Sequence, residues 1–314
     1  LCLHNLLLVL SGRQDNARVQ REKLLRDYPL NATLWWLNWF DGRSESALAQ
    51  WRGLCQGRDV NALMTAGQLI NWGMPALAAD MLNALDCQRT LPLYLQASLL
   101  PKAERGELVA KAIDAFPQFV RFPNTLEEVA ALESIEECWF ARHLLACFYY
   151  NKRSYGKAIA LWQRCVEMSP EFADGWRGLA IHAWNKQHDY ELAARYLDNA
   201  YQLAPQDARL LFERDLLDKL SGVTPEKRLA RLENNLEIAL KRDDMTAELL
   251  NLWHLTGQAD KAADISRHAQ NSTRGKVGGK VDQPVYPQPR YYAPGSILMP
   301  DSRSRPANCF MPRC

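Results

Sequence analysis

Between Phe140 and Pro205 the apolar positions recur with the period of paired helices. Leu145, Ala146, Tyr149, Ala158, Trp162, Cys165 and Pro170 fall at spacings of 1, 3, 9, 4, 3 and 5 residues. Leu179, Ala180, Ala183, Ala193, Leu197, Ala200 and Pro205 repeat the series with one residue added in the turn, and the two prolines close their units 35 residues apart. Steps of three and four place these residues on one face of a helix. Two such helices per unit, with small residues where they cross and a proline at the exit, mark a helical repeat array. Ala146, Ala158, Ala180 and Ala193 let the helices approach, while Leu145, Trp162, Leu179 and Leu197 fill the seam. Pro170 and Pro205 lack the amide hydrogen that a continuing helix needs, so each ends its unit.

The same logic, weaker in consensus, runs through the rest of the chain. A helix over Leu1 to Leu10, a Ser11-Gly12 turn and a second helix ending at Tyr28 make the first hairpin. Asn31 to Phe40 pairs with Ser44 to Cys55. Asp59 to Trp72 pairs with Met74 to Leu85, Gly73 stopping the one helix and Pro75 opening the next. Leu91 to Leu100 and Glu104 to Phe116 follow, then a Pro- and aromatic-rich connector from Pro117 to Pro123. Thr125 and Glu128 have the spacing of a capping box for a helix starting at Leu126. After the two clear repeats, 139–171 and 173–206, come Ala208 to Leu220 with Thr224 to Lys241, and Thr246 to Leu255 with Gln258 to His268 around Gly257. The pattern amounts to about seven or eight hairpins and no strand. Trp35, Trp36 and Trp39 could stack on a glycan, but at i, i+1 and i+4 they cannot share one face, so at least one is expected in the core.

Composition changes at the C-terminus. Residues 272–314 hold seven prolines and a charge of +5, which leaves −3 for the body of a chain whose formal net charge is +2. Such a segment buries too little to offset its ordering entropy and is expected to be disordered. The domain organisation read from the sequence is therefore a helical array over 1–271 and a Pro-rich basic tail over 272–314. A near-neutral balance offers no strong field for nucleic acid or a membrane surface. The eight cysteines occur singly, without CxxC pairs, and read as reduced thiols of a cytoplasmic protein. Leu1 to Leu10 is too short to span a membrane and lacks the basic flank of a signal peptide. Its position suggests an array already under way before residue 1.

The repeat residues above resemble the tetratricopeptide repeat (TPR), which implies an all-α, right-handed solenoid of helical hairpins. The phrases Asp174-Gly175-Trp176-Arg177-Gly178-Leu179-Ala180, Asp207-Ala208-Arg209-Leu210-Leu211-Phe212-Glu213, Lys241-Arg242-Asp243-Asp244 and Ala115-Phe116-Pro117-Gln118-Phe119-Val120 are further similar to the TPR half of a large bacterial family of unknown function. Longer members of that family carry N-terminal domains of the galactose-mutarotase kind. Where those proteins continue Phe-His-Pro-Trp-Glu-Gly-Gly, this chain reads Asn271 to Gly278, and plausible codons for those residues read two bases later give the family sequence. The tail is accordingly expected to arise from a reading-frame change. The resemblance also implies that the first helix of each hairpin lines a concave groove. Its groove positions transfer to His143, Cys147, Tyr150 and Asn151 in one repeat and to Arg177, Ile181, Trp184 and Asn185 in the next. Cys147 and Ile181 stand where chaperone-binding members have Asn, which argues against a clamp for a terminal carboxylate.

No catalytic motif appears: HExxH, a P-loop, GxSxG and GxGxxG are all missing, and no histidines lie at i, i+4. The carboxylates Glu127, Glu128, Glu133, Glu136 and Glu137 read as a solvated helix face. The sequence therefore points to a scaffold that binds a protein or peptide, or a partner domain of its own longer parent, with no catalysis, cofactor, metal, nucleic acid or membrane. The opposing reading is the C-terminal portion of a carbohydrate-active or carbohydrate-binding protein whose working domain lies elsewhere.

Overall fold

Turns that are, in all but one of the hairpins, built around one left-handed residue fold the described residues into helical hairpins. The computed structural model describes residues 1–56, 59–115, 121–135 and 137–264. Two compact units divide the chain, Leu1–Phe148 and Tyr149–Cys314. No strand occurs among the described residues.

In the first unit α1 (Cys2–Leu10) pairs with α2 (Gln14–Asp27), α3 (Ala32–Gly42) with α4 (Glu45–Cys55), α5 (Asp59–Asn71) with α6 (Pro75–Leu85), and α7 (Thr90–Ser98) with α8 (Gly106–Asp114). A turn of 3-10 helix at Lys102–Glu104 precedes α8, and α9 (Leu126–Glu133) packs on both α5 and α7. The first helices also touch in sequence, α1 on α3, α3 on α5 and α5 on α7. Trp36, Trp51, Tyr94 and Phe140 are the largest fully buried side chains. Trp36 and Trp39 are both in the core, stacked on Phe40 and Trp51, while Trp35 is half-buried with its indole N–H donating to the Pro29 carbonyl at 2.8 Å. That leaves no three-ring stacking surface at this cluster. Buried Arg21 donates to Asn5, Asn38 and Asp41, a satisfied polar core between α1, α2 and α3.

Thr125 caps α9 as its spacing predicts: its hydroxyl accepts from the Glu128 amide, and the Glu128 carboxylate accepts from the Thr125 amide. Glu128 is not on a solvated face. It is buried, and Arg121 donates to it at 2.8 Å. Glu127 accepts from Asn71 of α5, so the acidic run tethers one hairpin to another. Glu133 and Glu137 are exposed, and Glu136 lies outside the described residues.

The boundary between units falls within α10 (Trp139–Asn151). The second unit continues with α11 (Tyr155–Met168), α12 (Ala173–His182), a π turn at Ala183–Gln187, α13 (Tyr190–Leu203), α14 (Ala208–Leu220), α15 (Pro225–Glu233), α16 (Leu236–Ala239) and α17 (Asp243–Leu255), and residues 259–264 are again helical. The residue that lengthens the second repeat is absorbed by the π turn: the Asp189 amide reaches back to the Ala183 carbonyl at 3.0 Å. Ala158, Cys165, Ala180, Ala183, Ala193 and Ala200 are buried at the crossings, as the spacing predicts. The long helix expected over Thr224 to Lys241 is instead broken between α15 and α16. Asn235 donates to the Arg231 carbonyl and accepts from the Tyr201 hydroxyl at 2.6 Å, so a side chain from α13 pins the break. The expected tail over 272–314, the end of the last hairpin at His268 and the phrase Phe116 to Val120 lie outside the described residues.

The turns inside the hairpins, that between α7 and α8 excepted, share one device. Gly12, Arg43, Gly73, Arg153, His188, Gly222 and Gly257 all have positive φ, between 49° and 78°. Three of the seven are not glycine, which implies a backbone held there by the packing of the two helices against the local preference.

Candidate functional site

The expected groove residues fall into two sets, because His143 and Cys147 belong to the first unit and the others to the second. His143 is buried, stacked on Phe140 at 6.0 Å, with its Nε2 3.6 Å from the half-buried Cys147 thiol. In the second unit Tyr150, Arg177, Ile181 and Trp184 are buried, Asn185 is half-buried and Asn151 is exposed. Arg177 does not face solvent: its Nε donates to Glu213 of α14 at 2.7 Å and its terminal nitrogen to the other carboxylate oxygen. Trp184 packs edge-on against Tyr190 with ring centres 5.3 Å apart. Four of these six side chains are therefore buried, and Asn151 and Asn185 are the two that reach solvent.

The sequence reading missed the charges that fix these helices. Arg209 of α14 donates to Asp174 of α12 at 2.6 Å, and Arg177 pairs with Glu213. The partners are separated by 35 and 36 residues, one repeat length. Opposite charges at the repeat offset were a legible signal, since equivalent first helices lie side by side in such arrays. Farther along, Arg228 bridges Asp215 and Glu248, and Asp218 receives both Arg214 and Arg231. Burial would raise the Glu248 carboxyl, but hydrogen bonds from Lys219 and Arg228 outweigh it and hold the group below its ordinary range.

Gly178 was also missed as a contact. A β-carbon there would overlap the Trp162 indole, so the ring lies directly on the α12 backbone. Above that contact Tyr150 packs on Trp162 at 5.3 Å, on Tyr155 at 5.0 Å and edge-on to His182 at 6.4 Å. Lys186 stands over the Tyr155 ring at 4.8 Å. Burial pushes the Tyr150 hydroxyl up to about 12. Asn185 stands near enough to counter part of that rise, although no hydrogen bond of normal geometry joins the two. Burial, helped by the Lys186 charge, lowers the His182 imidazole, which is therefore neutral at pH 7.

Hairpins with small residues at their crossings, left-handed turns and closing prolines make the described residues an all-α array of helical hairpins. No family model matches the chain. Among solved structures it is similar to the APC/C hetero-tetramer Cut9-Hcn1, at 15% identity over 80% of this chain and 48% of that one, with a TM-score of 0.38. It is similar to the P58(IPK) TPR domain at 17% identity, over 83% of this chain and 70% of that one, with a TM-score of 0.35. It is also similar to YrrB, a TPR protein with an unusual peptide-binding site, at 18% identity over 59% of this chain and 92% of that one, with a TM-score of 0.27. The chain thus spans about half the length of the first of these, 48%.

Proposed function

We propose that this chain is an interaction scaffold that binds a protein or peptide partner on its helical hairpins and performs no catalysis of its own. The observation that carries this reading is the pair of ion contacts one repeat apart, Asp174 with Arg209 and Arg177 with Glu213, which fixes the first helices of successive repeats beside each other. The four charged side chains of these two pairs are committed to neighbouring helices and so give the second unit a stiff surface. A stiff surface binds an extended partner without first ordering itself. On it Trp184 and Ile181 supply the apolar floor, and Asn151 and Asn185 supply donors and acceptors to a partner's main chain.

The test uses the full chain. Peptides selected by display on the immobilised protein should bind in calorimetry, and Asn151→Ala with Asn185→Ala should weaken them about tenfold while the melting curve stays in place. Truncating Arg177 or Trp184 would report on packing, because both are buried. Failure to enrich any peptide, or binding that ignores both asparagines, would overturn the reading.

A further inference from the structure

His182 stands where α12 gives way to the π turn, and its ring is closed in by two other elements. Tyr150 of α10 meets it edge-on with ring centres 6.4 Å apart, and Tyr155 of α11 lies at 6.3 Å. The residue is buried, and its Nδ1 has no hydrogen-bond partner. Four residues on, inside the turn, the Lys186 ammonium stands over the same Tyr155 ring at 4.8 Å. From the other side, α13 meets this stretch of α12 through the apolar Ala193 and Leu197, and Arg177 is paired with Glu213 of α14. Lys186 is the charge that acts on His182, and it has the sign that a protonated imidazole would carry.

We infer that His182 is an acid-sensitive joint, whose protonation loosens the π turn at Ala183–Gln187 and so frees a partner held on Trp184 and Asn185. The proton puts a second cation one turn from Lys186 and a charged N–H among aromatic rings. The ring of Tyr150 has little room to retreat, because it also packs on Trp162, whose indole lies on Gly178. The backbone of the turn is the part that yields. Its winding is irregular, and the His188 and Asp189 amides share one acceptor, the Ala183 carbonyl. Trp184 and Asn185 lie inside that turn and move with it. The direction in pH follows from the surroundings. Burial first, and then Lys186, hold the imidazole below its ordinary range, so the folded chain takes the proton less readily than the unfolded one. The stability at stake is therefore complete above the unfolded value, about pH 6.5, and is lost as pH falls from there through the folded value.

The experiment follows the His182 ring protons and the hydrogen-exchange protection of the His188 and Asp189 amides by NMR in the full chain, from about pH 7.5 to about pH 5. The ring should titrate below the ordinary histidine range. In step with it the two amides should lose protection about tenfold, after correction for intrinsic exchange. His182→Gln should abolish that loss, and His188→Gln, at the exposed neighbour, should leave it in place. Should His182→Gln fail to fold, Lys186→Met serves instead, since removing the like charge should move the midpoints of ring and amides up together. A ring that titrates at or above its ordinary value, amides that ignore the ring, the same loss in His182→Gln, or midpoints unmoved in Lys186→Met would each overturn the joint. Release of a partner rests on the scaffold reading above and has its own readout. A display-selected peptide should bind about tenfold more weakly at about pH 5.5 than at about pH 7.5, and equally at both in His182→Gln. Peptide binding that ignores pH beside a loosening turn would overturn the release and leave the scaffold. Failure to obtain any peptide would remove the scaffold, and the release with it, while the amides still decide the joint.

Discussion

Gly178 has no side chain, and the Trp162 indole occupies the space a β-carbon would need. A glycine inside a helix is unfavourable by about 1 kcal/mol against alanine, so its presence there signals a close approach. Gly178→Ala should raise helix propensity and still destabilise the second unit by about 1–3 kcal/mol, the usual range for overpacking, read as a lower melting temperature. A neutral result would mean that Trp162 has another rotamer available. Arg153 presents the reverse case. It is exposed, with φ of 62° in the turn between α10 and α11. Arg153→Gly should stabilise by about 0.5–1 kcal/mol, since the left-handed penalty of an L residue exceeds the extra chain entropy that glycine loses. Arg43 would be a poorer choice, because its guanidinium lies over the Trp39 ring at 4.3 Å and that contact would go with it.

Pairing between helices divides what the sequence revealed from what it hid. The Thr125–Glu128 capping box, Pro75 at a helix start and Gly73 at a helix end were legible because each acts within one turn of its own helix. The break between α15 and α16 was not, since it depends on Tyr201 of α13, 34 residues from Asn235. For the same reason Arg177 read as a surface residue while its partner Glu213 went unnoticed. In the candidate site, the family resemblance pointed to Ile181, Trp184 and Asn185 on α12 and its extension, but not to their depth, which for Trp184 depends on Tyr190 of α13. Arg177→Ala would leave Glu213 buried without its bidentate partner. The expected loss is about 3 kcal/mol, at the low end for a broken buried pair because the Arg209 charge also acts on Glu213. Replacing both partners with Met should recover most of it, and urea melts of the two single variants and the double variant measure the coupling.

At the scale of the molecule, each unit is a run of hairpins whose helices pack on their neighbours in sequence, so its stability is expected to be a sum of local terms. In such a chain a change of length inside one hairpin need not disturb the next, and the π turn at Ala183–Gln187 is a case already in place. Deleting Lys186 should return that segment to ordinary α-helix, with a repeat as long as its predecessor and a melting temperature unchanged or higher. Asn185 would be re-aimed as the wider π winding tightens to that of an α-helix, and binding of the display-selected peptides should weaken. Loss of the fold in this deletion would show the turn to be structural. With the fold retained, the turn is an indexing joint: one inserted residue re-aims a contact side chain while the turn at His188, the α13 crossing and the exit proline keep their places.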